Sequence, residues 1–228
     1  MAAMNILAFD TSCDPGSVAL WHAGELTSRD CPSGIANSET LLPLAGQTLR
    51  EAGLAFADLH AIAFARGPGS FTGLRIACGV AQGLAFATEL PLIAVGTLEA
   101  MALASGGSRV IVVLDARMSE VYCGVFVDGQ QQGEIGVYPP HALPVPESTG
   151  WLACGNGLAV YPVLRERLAP HVDVWQAGLM PSAAAVARIA AQRLARGAPI
   201  DPADVLPLYV RDKVAQTVVE RLAAGGKA

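Results

Sequence analysis

One unit of this chain occurs twice, and that repetition limits the folds open to it. An apolar strand ending in aspartate, Asn5-Ile-Leu-Ala-Phe-Asp10, leads through a short loop to Ser17-Val-Ala-Leu-Trp21. A turn at His22-Ala-Gly24 and a further strand over residues 25–29 follow, a β-meander. About 105 residues later, Arg109-Val-Ile-Val-Val-Leu-Asp115 leads into Val121–Val127 and the hairpin turn Asp128-Gly129. The aspartate and the turn glycine lie 14 positions apart in both copies. The spacing predicts two similar lobes with a cleft between them, the usual place for a ligand. With 228 residues the chain is long enough for that.

Between the copies, helical spacing of apolar residues covers 38–52, with Ser38 as the expected N-cap and Gly53 as the stop. A buried strand is expected over 59–65, a helix over 72–88, a short strand over 92–95 and a helix over 97–104. After the second copy, helices are expected over 157–168 and 181–196, and the proline-rich stretch 138–146 reads as a loop. The fold class is therefore α/β in two lobes, 1–106 and 107–228, with the last helix free to pack back on the first lobe. The tail from Arg211 onward reads as a short helix with no assigned role.

Composition narrows the function. The net charge is −5, with a pI near 5.3, unlike the basic footprint of an autonomous nucleic-acid binder. Mean hydropathy is +0.41, high enough to suggest that a partner covers some apolar surface. Five widely spaced cysteines without a CxxC read as reduced thiols, and no secretory leader is expected. The most apolar run, 72–88, is shorter than the ~20 residues a membrane span needs and contains Arg75 and Gln82. A soluble, cytoplasmic protein without membrane contact is expected.

Four features could carry chemistry. Asp10, with Thr11 beside it, and Asp115 end strands where a two-lobed phosphotransferase would orient a metal-bound water. The loops that follow would then hold phosphate through backbone N–H groups. They suit that task poorly: Asp10-Thr-Ser-Cys-Asp-Pro-Gly16 has one glycine, and Asp115-Ala-Arg-Met-Ser-Glu120 has none. Gly67-Pro-Gly-Ser-Phe-Thr-Gly-Leu-Arg75 lacks the lysine of a P-loop and reads as a tight strand-to-helix turn capped by Ser70 or Thr72. Asn156, within Cys154-Gly-Asn-Gly157, is a turn signal that could open a nucleotide-contacting helix. Neither a metalloprotease motif nor a nucleophile elbow is present.

The helix over 72–88 is small or apolar almost all round, with rows at Gly73, Ala77, Ala81 and at Gly79, Gly83, Ala87. One row can face the chain's own sheet and the other a second chain.

Asp10-Thr-Ser, the second strand, the Gly67–Arg75 block and Asp115-Ala-Arg-Met-Ser-Glu-Val-Tyr122 together resemble the TsaB (YeaZ) family over nearly the whole chain. The resemblance implies an actin/Hsp70-like ATPase (ASKHA) fold. It implies a non-catalytic part in threonylcarbamoylation of adenosine 37 in tRNAs that read codons beginning with A. The catalytic paralogue TsaD and the ATPase TsaE are the implied partners. Homodimers are implied when the partner is absent, and tRNA contact only through the complex. No cofactor of its own is implied, with ATP or ADP at the complex interface left open. The docking face would be the helices over 38–52 and 72–88. Its expected residues are Leu41, Leu44, Leu49, Gly73, Ile76, Ala77, Val80, Ala81 and Leu84. Many relatives carry a histidine near Asn37; its absence here weakens a metal role. An ATP-dependent enzyme of the same fold and a homodimeric structural protein are the alternatives.

Overall fold

The computed structural model describes residues 4–197 and 206–211. The first sheet has the order β3-β2-β1-β4-β5, with β1 (Asn5–Asp10), β2 (Ser17–His22), β3 (Glu25–Asp30), β4 (Ala61–Gly67) and β5 (Leu92–Gly96). The second has the order β10-β9-β6-β7-β8, with β6 (Arg109–Asp115), β7 (Val121–Val127), β8 (Gln130–Tyr138), β9 (Trp151–Cys154) and β10 (Val172–Gln176). In each, an antiparallel meander of three strands is extended by two parallel strands on the side of its first strand. The duplication visible in the sequence is thus a duplication of sheet topology.

Strand alternation sets what covers each face of the first sheet. Leu7, Phe9, Ile62 and Phe64 point to the side of α1 (Asn37–Glu51) and α2 (Phe71–Thr88). Ile6, Ala8, Ala61, Ala63 and Ala65 point to the other, where α6 (Ala183–Ala195) lies. Because both faces are buried, β1 and β4 read as unbroken apolar runs. The alanines on one face let α6 approach closely with its own Ala183, Ala187 and Ala190. So α6, from the second half of the sequence, covers the first sheet. Conversely α3 (Thr97–Ser105), from the first half, packs Leu98, Met101 and Ala102 against Val110, Val112 and Phe126 of the second sheet. Each lobe is closed by a helix from the other half.

Several boundaries differ from the sequence expectation. The cap of α1 is Ala36, without a side-chain cap bond, and Ser38 lies inside the first turn. Its C-terminus stops where expected: Gly53 takes φ +71° and donates to Arg50 O, while Leu54 N–H reaches Leu49 O. That pair of bonds is the Schellman arrangement. The strand expected over 59–65 runs from Ala61 to Gly67. The helix expected over 157–168 is two short helices, α4 (Gly157–Val160) and α5 (Val163–Leu168), because Pro162 interrupts it. The strands β8, β9 and β10 were not expected. β8 opens with exposed Gln130-Gln-Gln-Gly-Glu134, an edge strand with no apolar alternation to reveal it. Residues 138–146 include a 3-10 turn, Pro140–Ala142. The expected tail helix lies beyond the described residues. Among the described residues no helix is long and apolar enough to cross a membrane.

Candidate functional site

The cleft between the lobes, about 880 Å³, is walled by the loop after Asp10, the N-terminal turns of α1 and α2, and the loop after Asp115. Asp10 is 2% exposed. Its Oδ1 accepts from Ser12 N–H (2.8 Å) and Ser12 Oγ–H (2.6 Å). Its Oδ2 is buried with no protein partner among the described residues. Burial raises the Asp10 pKa to about 6, against the lowering pull of the Ser12 bonds.

The loop after Asp10 is docked on α2. Thr11 Oγ1 donates to Gly73 O (2.6 Å), and Ser70 N–H donates to Ser12 O (2.7 Å). A Cβ added at Gly69 would stand 2.6 Å from Ser12 O, and one at Gly73 would stand 1.8 Å from Thr11 O. Two glycines of the Gly67–Arg75 block are therefore required by backbone packed on backbone. Ser70 caps α2, its Oγ accepting from Gly73 N–H (3.3 Å).

Asp115 is fully engaged within its own lobe. Its Oδ1 accepts from Arg117 N–H (3.1 Å) and Tyr161 OH (3.0 Å), and Arg117 Nη1 stands 3.7 Å from its Oδ2. Asn156 does not cap α4; its Oδ1 accepts from Asp115 N–H (2.9 Å). The following turn is closed on itself by Ala116 N–H to Glu120 O and Glu120 N–H to Arg117 O. Ser12 N–H in the first loop and Ala116 and Arg117 N–H in the second are already bonded, and the backbone of Thr11 and Ser12 fills the room beside Gly73 and Gly69. The cleft's one cysteine, Cys13, has its thiol pushed up to about 12 by burial, with the Asp10 charge adding. It is not an activated nucleophile.

The second feature is the outer face of α1 and α2, and here the expected residues divide. Leu41, Leu49, Ala77 and Ala81 are buried in the chain's own core, Ala77 and Ala81 at 0% exposure, and Gly73 is buried under the loop after Asp10 at the cleft. They cannot present a docking surface. This corrects the expectation for those five: of the two small-residue rows, the one through Ala77 is the row that faces the sheet. Leu44, Ile76, Val80 and Leu84 are partly buried at the rim of that core. The outward row is Gly79, Gly83 and Ala87, all exposed, next to Phe86 at 84% exposure; Leu42 on α1 is also exposed. A Cβ at Gly79 or Gly83 would meet nothing within 4 Å. Helical glycine costs about 1 kcal/mol relative to alanine, and nothing in the packing of the described residues requires it at either position.

Two topologically equal sheets, helices exchanged between the halves and an interlobe cleft make up an actin/Hsp70-like ATPase fold. Residues 34–141 match the family model described as TsaD, tRNA N6-adenosine threonylcarbamoyltransferase. The tRNA threonylcarbamoyladenosine biosynthesis protein TsaB of Escherichia coli is 35% identical over 93% of this chain and 96% of its own length. Its namesake in Haemophilus influenzae is 31% identical over 94% and 96%. A crystal structure from Pseudomonas aeruginosa, of a protein described as similar to peptidase YEAZ, superposes with a TM-score of 0.82 at 37% identity. It covers 91% of this chain and 100% of that one. The chain belongs to the TsaB (YeaZ) family of tRNA threonylcarbamoyladenosine biosynthesis proteins. It is also 34% identical to the tRNA N6-adenosine threonylcarbamoyltransferase of Nitrosospira multiformis, over 42% of this chain and 33% of that enzyme.

Proposed function

We propose that this chain is a non-catalytic subunit required for threonylcarbamoylation of adenosine 37 in tRNAs that read codons beginning with A. It acts by docking the catalytic paralogue TsaD through α1 and α2, and with it the ATPase TsaE. The observation that carries this reading is the outward face of α2, where exposed Gly79 and Gly83 precede exposed Phe86 by two turns and one. Glycine there allows another backbone to approach closely, and Phe86 supplies an apolar anchor of the kind that dominates interfaces. Without the partner the same face pairs with a second copy, because a C₂ contact needs only one self-complementary patch. The chain holds no nucleotide of its own in this reading, which the bonded loops after Asp10 and Asp115 support. ATP or ADP, where it acts, sits at the interface of the complex. Contact with tRNA comes only through the assembly, which the net charge of −5 favours.

The test uses Gly83→Arg and Phe86→Ala. Both sites are open to solvent, so neither variant should melt below wild type, and Gly83→Arg should melt above it because arginine is the better helix former. Each should lower affinity for the TsaD partner at least tenfold and lower modified adenosine in a reconstituted reaction to match. Wild-type affinity in both folded variants would place the docking face elsewhere. ATP hydrolysis by the isolated chain, abolished by Asp10→Ala, would favour the enzyme reading instead.

A further inference from the structure

Residues 206–211 contact both lobes at the cleft. On the first lobe, Leu208 N–H donates to Arg66 O (2.6 Å), continuing from β4, and Leu208 O stands where a Cβ on Gly67 would be only 2.8 Å away. The Tyr209 ring meets the Phe71 ring at 5.5 Å. Its hydroxyl accepts from Arg75 Nε (3.1 Å), and the Arg75 guanidinium lies 3.8 Å over Phe71. On the second lobe, Val210 packs on the cluster that contains Leu98 and Tyr122. Arg211 then reaches three residues of one turn: Glu120 carboxylate (2.5 Å), Met118 Sδ (3.4 Å) and Arg117 O (3.5 Å).

That turn is strained. Arg117, Met118 and Ser119 take φ of +61°, +53° and +58° in succession. Three consecutive non-glycine residues in the left-handed region persist only where surrounding contacts impose them. Arg211 supplies such contacts, and its side chain is 13% exposed, so its pair with Glu120 is less screened than an ordinary surface pair.

We propose that residues 206–211 are an interlobe clasp. Tyr209 fastens it to the first two turns of α2, Arg211 fastens it to the strained turn 117–120, and the two anchors hold cooperatively across the cleft. The first anchor is part of the docking helix, since Arg75 lies one turn before Gly79 on the outward side. Contact at that face is therefore transmitted to the cleft turn; this last link rests on the docking reading, whereas the clasp itself does not.

Hydrogen exchange on the isolated full chain tests the clasp. Arg211→Ala should speed exchange about tenfold at 117–120 and also at 66–75 on the opposite lobe. Tyr209→Ala should speed the same two segments from the other end. Tyr209→Phe, at a residue 46% exposed and with only the Arg75 bond lost, should fold normally and give a smaller change in both. Acceleration confined to the segment beside each altered residue, or absent in all three variants, would overturn the proposal. If Arg211→Ala fails to fold, the two tyrosine variants decide: a response at 117–120 supports the clasp and its absence refutes it. Adding the TsaD partner should then slow exchange at 117–120 in wild type more than in Tyr209→Ala. Failure of this arm alone, with the others intact, counts against the docking link and leaves the clasp standing.

Discussion

Asp10 carries a cost that the rest of the chain sustains. A carboxylate that is 2% exposed, with one oxygen bonded to Ser12 and the other without a partner among the described residues, resists ionisation. Its folded pKa of about 6 exceeds its ordinary value of 3.8, so the folded state holds the proton more tightly. Its contribution to stability is complete below pH 3.8 and is lost as pH rises through 6. The two-unit gap amounts to about 3 kcal/mol, an order of magnitude only. Asp10→Asn should remove this dependence. Denaturation in urea at pH 4 and pH 7.5 should show wild type losing stability relative to the variant by a few kcal/mol. Equal profiles would mean that Asp10 is solvated in the folded protein. The aspartate and its place after a strand were legible in the sequence. The bonds that tie Asp115 to Tyr161 and Asn156 were not, because those residues lie more than 40 positions from it.

Among the elements, α2 shows how far pattern reading reaches. Its start, a cap at Ser70 or Thr72 and its two small-residue rows followed from local spacing; the structure selects Ser70. Which row faces inward did not, since Gly73-Ala77-Ala81 and Gly79-Gly83-Ala87 are chemically alike. The choice depends on the angle at which the helix leaves the Gly67–Arg75 turn, which the Thr11–Gly73 contact sets. At the other end, Glu89 caps α2 at φ +55°, an acidic, non-glycine residue in the left-handed region at a helix C-terminus. Both its backbone and its charge oppose that place. Glu89→Gly should raise stability by about 1 kcal/mol, measured as a rise in the urea midpoint. A fall would show that the Glu89 side chain makes a compensating contact. At Gly83→Ala the helix should gain a similar amount, because a methyl group there meets nothing among the described residues. Partner affinity should fall at the same time, a separation of stability from docking that a buried position could not give.

At the scale of the whole molecule, the exchange of α3 and α6 ties the two halves into one cooperative body. A helix from each half completes the other half's core, so neither sheet is covered by its own sequence alone. Unfolding should therefore be a single transition, with Trp21 on the first sheet and Trp151 and Trp175 on the second reporting one midpoint. Overpacking the α6 contact with Ala187→Leu should cost about 1–3 kcal/mol and lower that shared midpoint. Separate midpoints for the two sets of tryptophans would mean that the lobes fold independently. The sequence by itself determined the duplicated unit, the α/β class, the main helices and the family. Each of these rests on local periodicity or on contiguous motifs. Only the tertiary structure decided that α6 closes the first lobe, that Gly73, Ala77 and Ala81 are buried, and that residues 206–211 span the cleft. Those outcomes depend on contacts between residues 60 to nearly 180 positions apart, and close packing selects among faces that the local pattern leaves equivalent.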